Sequence, residues 1–435
     1  MALPAGPGLL PPLQTLRWVR DPYPFLDECR AAYGGTFTLR LAGFGESVFT
    51  DDPATIHEVF TASPDILQAG KGNDVLLPFV GAHSLLVLDG APHARDRKLM
   101  TPPFHGARMR AYGATIGVAA ERVTEAWRPG ETVATHPAMQ SASLEVILRA
   151  VMGLDDGPQL ERGRATVTEL LDTVGGALFF FGFLRHDLGR WSPWGRFLAR
   201  RKLADAMWEE AVRERRAHPG EDILSLLLSA RDEAGEPMSD AAIHDELVTL
   251  LLAGHETTAN ALAWALAWLV ASPEVLERLT AEVDEANDDP DTLGKLPYLG
   301  AVCNEALRIL PVFPIVMRVA AREWQGSTLT LPAGARIAPC IYLVHRRPDL
   351  YPEPDRFRPE RFLERTFSPS EFIPFGGGAR RCIGAAFALY EMRIILATVL
   401  RRFRIGPVDG APVAVRRNLA LGPRHGARVK ILARR

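Results

Sequence analysis

The stretch FIPFGGGARRCIG, at residues 372–384, is the most informative part of this 435-residue chain. Its three successive glycines let the backbone turn tightly and approach a flat ligand where a Cβ atom would collide. Cys382 follows at the predicted start of a helix, where free N–H groups and the helix dipole lower a thiol pKa. Arg380 can pair with a carboxylate of the same ligand, and Phe375 can shield the sulfur from water. The pattern indicates that Cys382 ligates a metal.

The composition is that of an ordinary globular protein, with 47% hydrophobic and 23% charged residues. No linker, repeat or low-complexity tract marks a boundary, so we predict one domain over residues 1–435, with residues 1–15 as a Pro-rich lead-in. The net charge of −2 gives no basic field for nucleic acid. Four widely spaced cysteines predict neither a disulfide framework nor a zinc site.

The location of the protein is predicted from what the chain lacks. The N-terminus does not have the order of a signal peptide. The most apolar run, residues 247–271, is interrupted by HETTAN at 255–260 and is better interpreted as a helix buried inside the protein. We therefore expect no membrane anchor and a cytoplasmic protein.

The pattern along the chain predicts a mainly α fold with a minor β-sheet region. A hairpin is expected where two β-like runs flank a glycine-containing turn, and helices are expected over most of residues 52–310. A final helix should follow the glycine loop. The predicted strands are residues 36–41, 47–50, 315–319, 328–331 and 336–339. The final helix is predicted at about residues 383–402 and is followed by strand-like pieces.

The spacing Phe375-x-x-Gly378-x-Arg380-x-Cys382-x-Gly384 resembles the haem-binding signature of the cytochrome P-450 family at every fixed position. The resemblance implies that fold, with a long central helix over haem b (iron protoporphyrin IX). It also implies that Cys382 is the proximal iron ligand, whose thiolate favours O–O cleavage, and that Arg380 contacts a haem propionate.

A second motif agrees with this resemblance. Glu305 and Arg308 share a helix face at i, i+3, which by itself indicates only an ion pair. The family has such a pair, joined by an arginine from a Pro-Glu-Arg-Phe-like segment, which this chain has at residues 359–362. The resemblance implies a structural cluster of Glu305, Arg308 and Arg361 behind the haem, without a chemical role.

The long helix has polar residues at its centre, in AGHETT at residues 253–258. A threonine hydroxyl can bond to a carbonyl one turn earlier and loosen the helix. By resemblance, Thr257 and Glu256 deliver protons to bound dioxygen, and Ala253 and Gly254 lie over the haem, where Gly254 leaves room for oxygen. The same stretch is one residue short of the HExxH zinc motif, but Ala259 replaces the second histidine.

Further cofactor contacts are expected upstream and downstream. His93 and Arg97 lie at i, i+4 on one helix face, a spacing that in the family reaches the haem propionates. Arg318 resembles another propionate-binding arginine. With Arg380 these make four cationic candidates, a sensible number because two buried carboxylates need several partners.

The resemblance implies a monooxygenase that inserts one atom of dioxygen into a small lipophilic substrate such as a fatty acid, terpenoid or steroid-like molecule. Electrons should come from a separate ferredoxin or flavodoxin with its reductase, docking at Lys98, Arg110 and Arg381. An apolar distal pocket is expected. Its candidate residues are Leu76, Leu77, Phe79, Val80, Phe179, Phe180, Leu250, Val312, Phe313 and Ile315.

Three other functions are considered. A peroxide-driven haem peroxygenase would share Cys382 but would not need the proton relay of Glu256 and Thr257. A non-catalytic haem sensor or carrier would give no product. A cysteine hydrolase would need a histidine near Cys382, and the local sequence has none.

Overall fold

The computed structural model describes residues 3–42, 44–104, 107–174, 178–179, 181–408, 413–417 and 420–435. Helices dominate this part of the chain. They are α1 (Pro11–Arg20), α2 (Pro22–Tyr33), α3 (Pro53–Thr61), α4 (Ala69–Gly72), α5 (Leu77–Val80), α6 (Gly90–Met100), α7 (Ala107–Thr124), α8 (Thr135–Met152), α9 (Pro158–Thr173), α10 (Pro193–Ala217), α11 (Ile223–Ser229), α12 (Asp240–Ala271), α13 (Pro273–Glu285), α14 (Pro290–Leu293), α15 (Pro297–Ile309), α16 (Ile341–Val344), α17 (Arg361–Glu364) and α18 (Ala385–Arg402).

The strands are short. They are β1 (Thr36–Leu41), β2 (Gly45–Thr50), β3 (Leu67–Gln68), β4 (Thr132–Ala134), β5 (Arg318–Ala320), β6 (Trp324–Gln325), β7 (Thr330–Leu331), β8 (Arg336–Pro339), β9 (Phe403–Gly406), β10 (Ala414–Arg417), β11 (Ala420–Pro423) and β12 (Arg428–Arg434). The largest sheet has the order β1-β2-β8-β5-β3, and only the β2–β8 pairing in it is parallel. Three strands form a second sheet, β4-β12-β9, and the hairpins β6-β7 and β10-β11 stand apart.

Helix α12 is the central element, and it packs most extensively on α8. Ser239 caps its N-terminus by accepting a hydrogen bond from the Ala242 N–H. Most of its C-terminal half is fully buried, which explains its apolar sequence. Among the described helices, none taken singly is long and apolar enough to cross a membrane, although the bent pair α12 and α13 is by length and composition.

The predicted mainly α fold with minor sheets is confirmed, and so are the hairpin and the long helix. The predicted limits are less accurate. Strands β3, β4 and β6 were not predicted, since two or three residues carry no periodic signal and depend on the strands they pair with. The final helix begins at Ala385 instead of residue 383.

The expected Pro-rich lead-in is more than an irregular segment, because helix α1 already begins at Pro11. Gln14 and Thr15 are buried, and their side-chain oxygens accept the N–H groups of Arg40 (2.8 Å) and Ala42 (2.7 Å). These bonds satisfy backbone donors at β1, so this segment is part of the packed structure.

Candidate active site

The loop before Cys382 folds as the glycines require. Gly376 and Gly378 have φ values of +66° and +63°, a region that favours glycine. A Cβ atom on Gly378 would stand 2.0 Å from the carbonyl oxygen of Phe60 at the end of α3. Gly378 therefore lies close against Phe60, and the predicted approach of the loop to a flat ligand stays a prediction. The Cys382 N–H donates to the carbonyl of Phe375 (2.9 Å) and closes the turn.

The Cys382 thiol is accessible although it lies deep in the protein. Burial raises its pKa, while the Gly384 N–H, Arg97 and Arg381 act in the opposite direction. The predicted lowering by a helix start is wrong, because desolvation outweighs these groups and α18 begins only at Ala385. A metal ion reverses this balance, since a coordinating thiol is deprotonated.

The four predicted cations come together near this loop. His93 is buried, and burial together with Arg380, Arg97 and Arg318 lowers its pKa to about 3. Burial also lowers the pKa of Arg318 to about 10, with Arg380 acting in the same direction. A neutral imidazole among three guanidinium groups indicates excess positive charge in a poorly solvated place.

Their partners leave much of this charge unbalanced. Arg380 donates to Asp89 Oδ1 (2.5 Å) and to the Leu85 carbonyl (3.0 Å). Arg97 and Arg318 donate to the backbone carbonyls of Arg381 (2.6 Å) and Met317 (2.9 Å), and neither forms an ion pair within the described part of the chain. A bound group with carboxylates of its own fits this arrangement, as the propionates of haem would.

Helix α12 presents three residues on one face at i, i+3 and i+7, namely Leu250, Ala253 and Thr257. Ala253 is exposed although it lies in the middle of a buried helix, and Thr257 is partly accessible. The Thr257 hydroxyl donates to the Ala253 carbonyl (2.7 Å), which is the predicted bond to the preceding turn. Glu256, also partly accessible, flanks the same face.

Gly254 faces elsewhere. A Cβ atom on it would stand 2.6 Å from the Ile147 side chain on α8. The absence of a side chain therefore lets α12 and α8 approach each other. The space for oxygen expected at this glycine stays a prediction. The Gly254 carbonyl accepts a weak hydrogen bond from the Ser143 hydroxyl (3.4 Å).

Glu305, Arg308 and Arg361 form the expected cluster, and all three are buried. Arg308 binds both carboxylate oxygens of Glu305 (2.7 and 2.9 Å), and Arg361 Nε donates to the same carboxylate (3.2 Å). The remaining donors of Arg308 reach the carbonyls of His345 and Arg356. The cluster joins α15 to Arg361 at the start of α17 and to the segment before it.

The predicted pocket residues divide by exposure, and Phe180 lies outside the described residues. The accessible or partly accessible ones are Leu76, Leu77, Leu250, Phe313 and Ile315, and the buried ones are Phe79, Val80, Phe179 and Val312. The rings of Phe79 and Phe179 are in contact, 4.3 Å between centroids. Phe79 also lines a cavity of about 20 Å³ with Val248, Leu251 and Leu252, which is on the opposite face of α12 from Ala253.

Sequence reasoning missed two residues that complete the site. Asp89 balances Arg380 and accepts the N–H groups of Gly70 and Lys71 (2.9 Å each). The sequence did contain a signal for Asp89, because it is an acid directly before Gly90, the first residue of α6. Ser143 had no signal, because its contact to α12 depends on how α8 packs.

The thiol, the cationic cluster and the polar centre of α12 define a haem-thiolate protein. The family model for cytochrome P-450 matches residues 4–426, so the chain belongs to the cytochrome P-450 family. It is 38% identical to the protein described as "putative cytochrome P-450 135B1" of Mycobacterium tuberculosis strain H37Rv, over 100% of this chain and 92% of that one. The identity to the similarly described 135A1 protein of the same strain is 35%, over 100% and 96%.

Solved structures agree in fold. The structure described as "Retinoic acid bound cyanobacterial CYP120A1" superposes with a TM-score of 0.86, at 27% identity and 99% coverage of both chains. The heme domain of cytochrome P450DA has a TM-score of 0.85 at 24% identity, over 100% of this chain and 98% of that one, and supports the fold alone. Membership of the family makes haem the cofactor and an oxygenase the general class of this enzyme.

Proposed function

We propose that this protein is a monooxygenase that transfers one oxygen atom of dioxygen to a small lipophilic substrate. The accessible hydroxyl of Thr257 beside Ala253, in the middle of a helix that is otherwise largely buried, is the observation that carries the proposal. An inert haem carrier does not need a threonine and an acid at this position. A peroxide-driven enzyme does not need them either, because its oxidant arrives already reduced.

Different residues have different roles in the proposed reaction. Haem bound to Cys382 supplies dioxygen activation and, through the thiolate, the electron density that favours O–O cleavage. His93, Arg97, Arg318 and Arg380 hold the haem carboxylates. The Thr257 hydroxyl donates a hydrogen bond to the Ala253 carbonyl. Its oxygen is then left to accept a hydrogen bond, and we propose that it holds a proton donor in place. Glu256 exchanges protons with solvent.

Replacing Thr257 tests this role. We expect Thr257→Ala to lower product formation about a hundredfold, the scale of a lost proton-transfer group, while electron consumption continues and reduced oxygen is released as peroxide. Thr257→Ser should restore most of the coupling. Thr258→Ala is the matched control, because Thr258 is buried on another face of α12. Product, peroxide and electron consumption are measured together under labelled dioxygen, and full coupling in Thr257→Ala would refute the relay.

The substrate is proposed to be lipophilic. The accessible candidates for the pocket are all apolar, and such walls favour a fatty acid, terpenoid or steroid-like molecule. The structural neighbour from a cyanobacterium is described with retinoic acid, a lipophilic molecule, bound to it. A screen of lipophilic compounds by the shift of the haem absorption band tests this class.

A cytoplasmic location stays a prediction.

Electrons are proposed to come from a ferredoxin or flavodoxin that docks near Cys382. Of the three predicted docking cations, Lys98 pairs with Glu233 and Arg110 lies 3.9 Å from Asp291. Arg381 is exposed and, within the described residues, has no ion pair. Arg381 is therefore the strongest candidate for an acidic partner.

Charge reversal tests this docking site. We expect Arg381→Glu to slow haem reduction by the partner about tenfold at low salt, with a smaller difference at high salt, because rim charges act mainly on association. The control is Arg213→Glu on α10. This helix lines the small cavity on the face of α12 opposite Ala253. Equal rates for the Arg381 variant and the unmodified protein would place the docking surface elsewhere.

A further inference from the structure

Glu246 is a fully buried acid on α12 to which the proposed mechanism gives no role. It precedes Ala253 by seven residues and Thr257 by eleven, so all three lie on the same face of the helix. A buried carboxyl group costs free energy unless it has partners or a function. Its position places it two turns from Ala253, on the side of the loop that holds Arg380.

The contacts of Glu246 lead directly to the cofactor site. The Leu85 N–H donates to Glu246 Oε1 (2.6 Å), while Oε2 has no hydrogen-bond partner among the described residues. The carbonyl of the same Leu85 accepts a hydrogen bond from Arg380 Nη1 (3.0 Å). A single residue of the loop therefore connects Glu246 to the guanidinium that faces the haem carboxylates.

Helix α12 also fastens the two residues before Leu85. The His83 N–H donates to Asp245 Oδ2 (2.9 Å), and the Thr249 hydroxyl donates to Ser84 Oγ (2.7 Å). The loop then continues to Leu88 and Asp89, which both accept from Arg380. Three successive residues are held by α12, but only Leu85 bonds both α12 and Arg380.

We propose that Glu246 is a positioning residue for the haem carboxylates: it fixes the Leu85 backbone, whose carbonyl orients Arg380 so that its remaining donors face the cofactor. The proposal rests on the haem cofactor of the family and deepens the proposed function. It does not depend on the identity of the substrate, so haem retention and potential decide it even if the proposed oxygenation is refuted.

The charge of Glu246 gives the site a pH dependence. Burial raises the pKa of Glu246 to about 8. Asp96 and Asp245 also raise this pKa, whereas the hydrogen bond from the Leu85 N–H lowers it. Asp96 projects from α6 and is paired with Arg95, and Asp245, on α12, is paired with His244. His83, Asp89 and Arg380 are further charged or titratable groups of or beside the loop. With a pKa of about 8, we expect Glu246 to be largely neutral at pH 7 and to become negative as the pH rises. A negative charge at this position favours ferric over ferrous haem.

Two variants of the haem-loaded protein test the proposal. Glu246→Gln keeps an oxygen for the Leu85 N–H, whereas Glu246→Leu keeps the size and leaves that donor unpaired. We expect the Leu variant to release haem to a scavenger protein about tenfold faster and to shift the reduction potential, because a buried donor is left unsatisfied. The Gln variant should match the unmodified protein at pH 7. Between pH 7 and 9 the potential of the unmodified protein should fall more steeply than that of the Gln variant. His244, whose pKa is raised to about 9 by its contacts with Asp205 and Asp245, titrates in both proteins and gives them a shared slope.

Thr249→Val is the matched control, since it removes the bond to Ser84 and leaves Leu85 in place. We expect it to keep the haem release rate and the potential of the unmodified protein. Loss of haem from Thr249→Val as fast as from Glu246→Leu would show that any loosening of the loop suffices, and the proposal would fail. It would also fail if Glu246→Leu behaved as the unmodified protein. If the Leu variant does not fold, the pH profile of the Gln variant decides: a slope equal to that of the unmodified protein overturns the role of Glu246.

Discussion

Cys382→Ser is expected to abolish product formation and to remove the red-shifted Soret band of the reduced carbon monoxide complex. A serine hydroxyl stays protonated at neutral pH and cannot supply the electron density that a thiolate gives to the iron. The surroundings of Cys382 allow this comparison. The change keeps the N–H of residue 382, which donates to the Phe375 carbonyl, and leaves in place Arg97, Arg318 and Arg380, the proposed partners of the haem carboxylates.

Cys303→Ala is the control for this experiment. Cys303 is fully buried in α15, and burial raises its pKa to about 12, so it is a packing residue and not a ligand. The control should keep both the spectrum and the turnover. A Ser variant at position 382 with an unchanged spectrum and unchanged turnover would contradict thiolate ligation, and the proposed monooxygenase function would fall with it.

Arg308→Met is expected to lower the free energy of unfolding by about 3–5 kcal/mol, the scale for breaking a buried ion pair. Arg308 and Glu305 are fully buried, and Arg308 binds both oxygens of the Glu305 carboxylate. The variant leaves Glu305 with Arg361 and the Arg358 N–H as partners, which cannot replace two bonds. Arg308→Lys should be nearly as unstable, because one ammonium group cannot make the paired contact.

The measurement is chemical unfolding of the haem-loaded protein. Arg358→Ala is the matched control: it removes an exposed ion pair with Glu364 and keeps the backbone N–H that Glu305 accepts. That change should cost less than about 1 kcal/mol. An unfolding midpoint for Arg308→Met equal to that of the control would show that the cluster does not stabilise this region.

The sequence predicted the parts of the site whose residues are close in the chain. The order Phe375, Gly378, Arg380, Cys382 and Gly384 defines one turn, whose limits the structure shifts by only two or three residues. It also predicted the polar centre of α12, because the Thr257 bond to Ala253 is local. In both places the interacting groups are separated by a few residues, so their geometry follows from the local backbone.

The sequence was a less reliable guide to the neighbours of a residue that can lie either against a ligand or against another part of the chain. It predicted that the glycine loop approaches a ligand and that Gly254 leaves room for oxygen, and both stay predictions. The close contacts that the structure adds are those of Gly377 and Gly378 with Phe60 and of Gly254 with Ile147. The sequence also predicted a lowered pKa for Cys382, whereas burial raises it. A glycine indicates that something comes close, and the sequence alone does not say what.

The sequence by itself determined the mainly α fold and the turn that holds the Cys382 thiol, because each follows from a pattern of neighbouring residues. The haem and the set of cations around it were implied by the resemblance to the P-450 family. Only the tertiary structure decided that Asp89 balances Arg380, that Ser143 reaches α12 and that Glu246 and Arg380 share Leu85. These contacts join residues that are 100 or more positions apart. Their existence depends on how whole helices pack, and packing is not recorded in any short stretch of the chain.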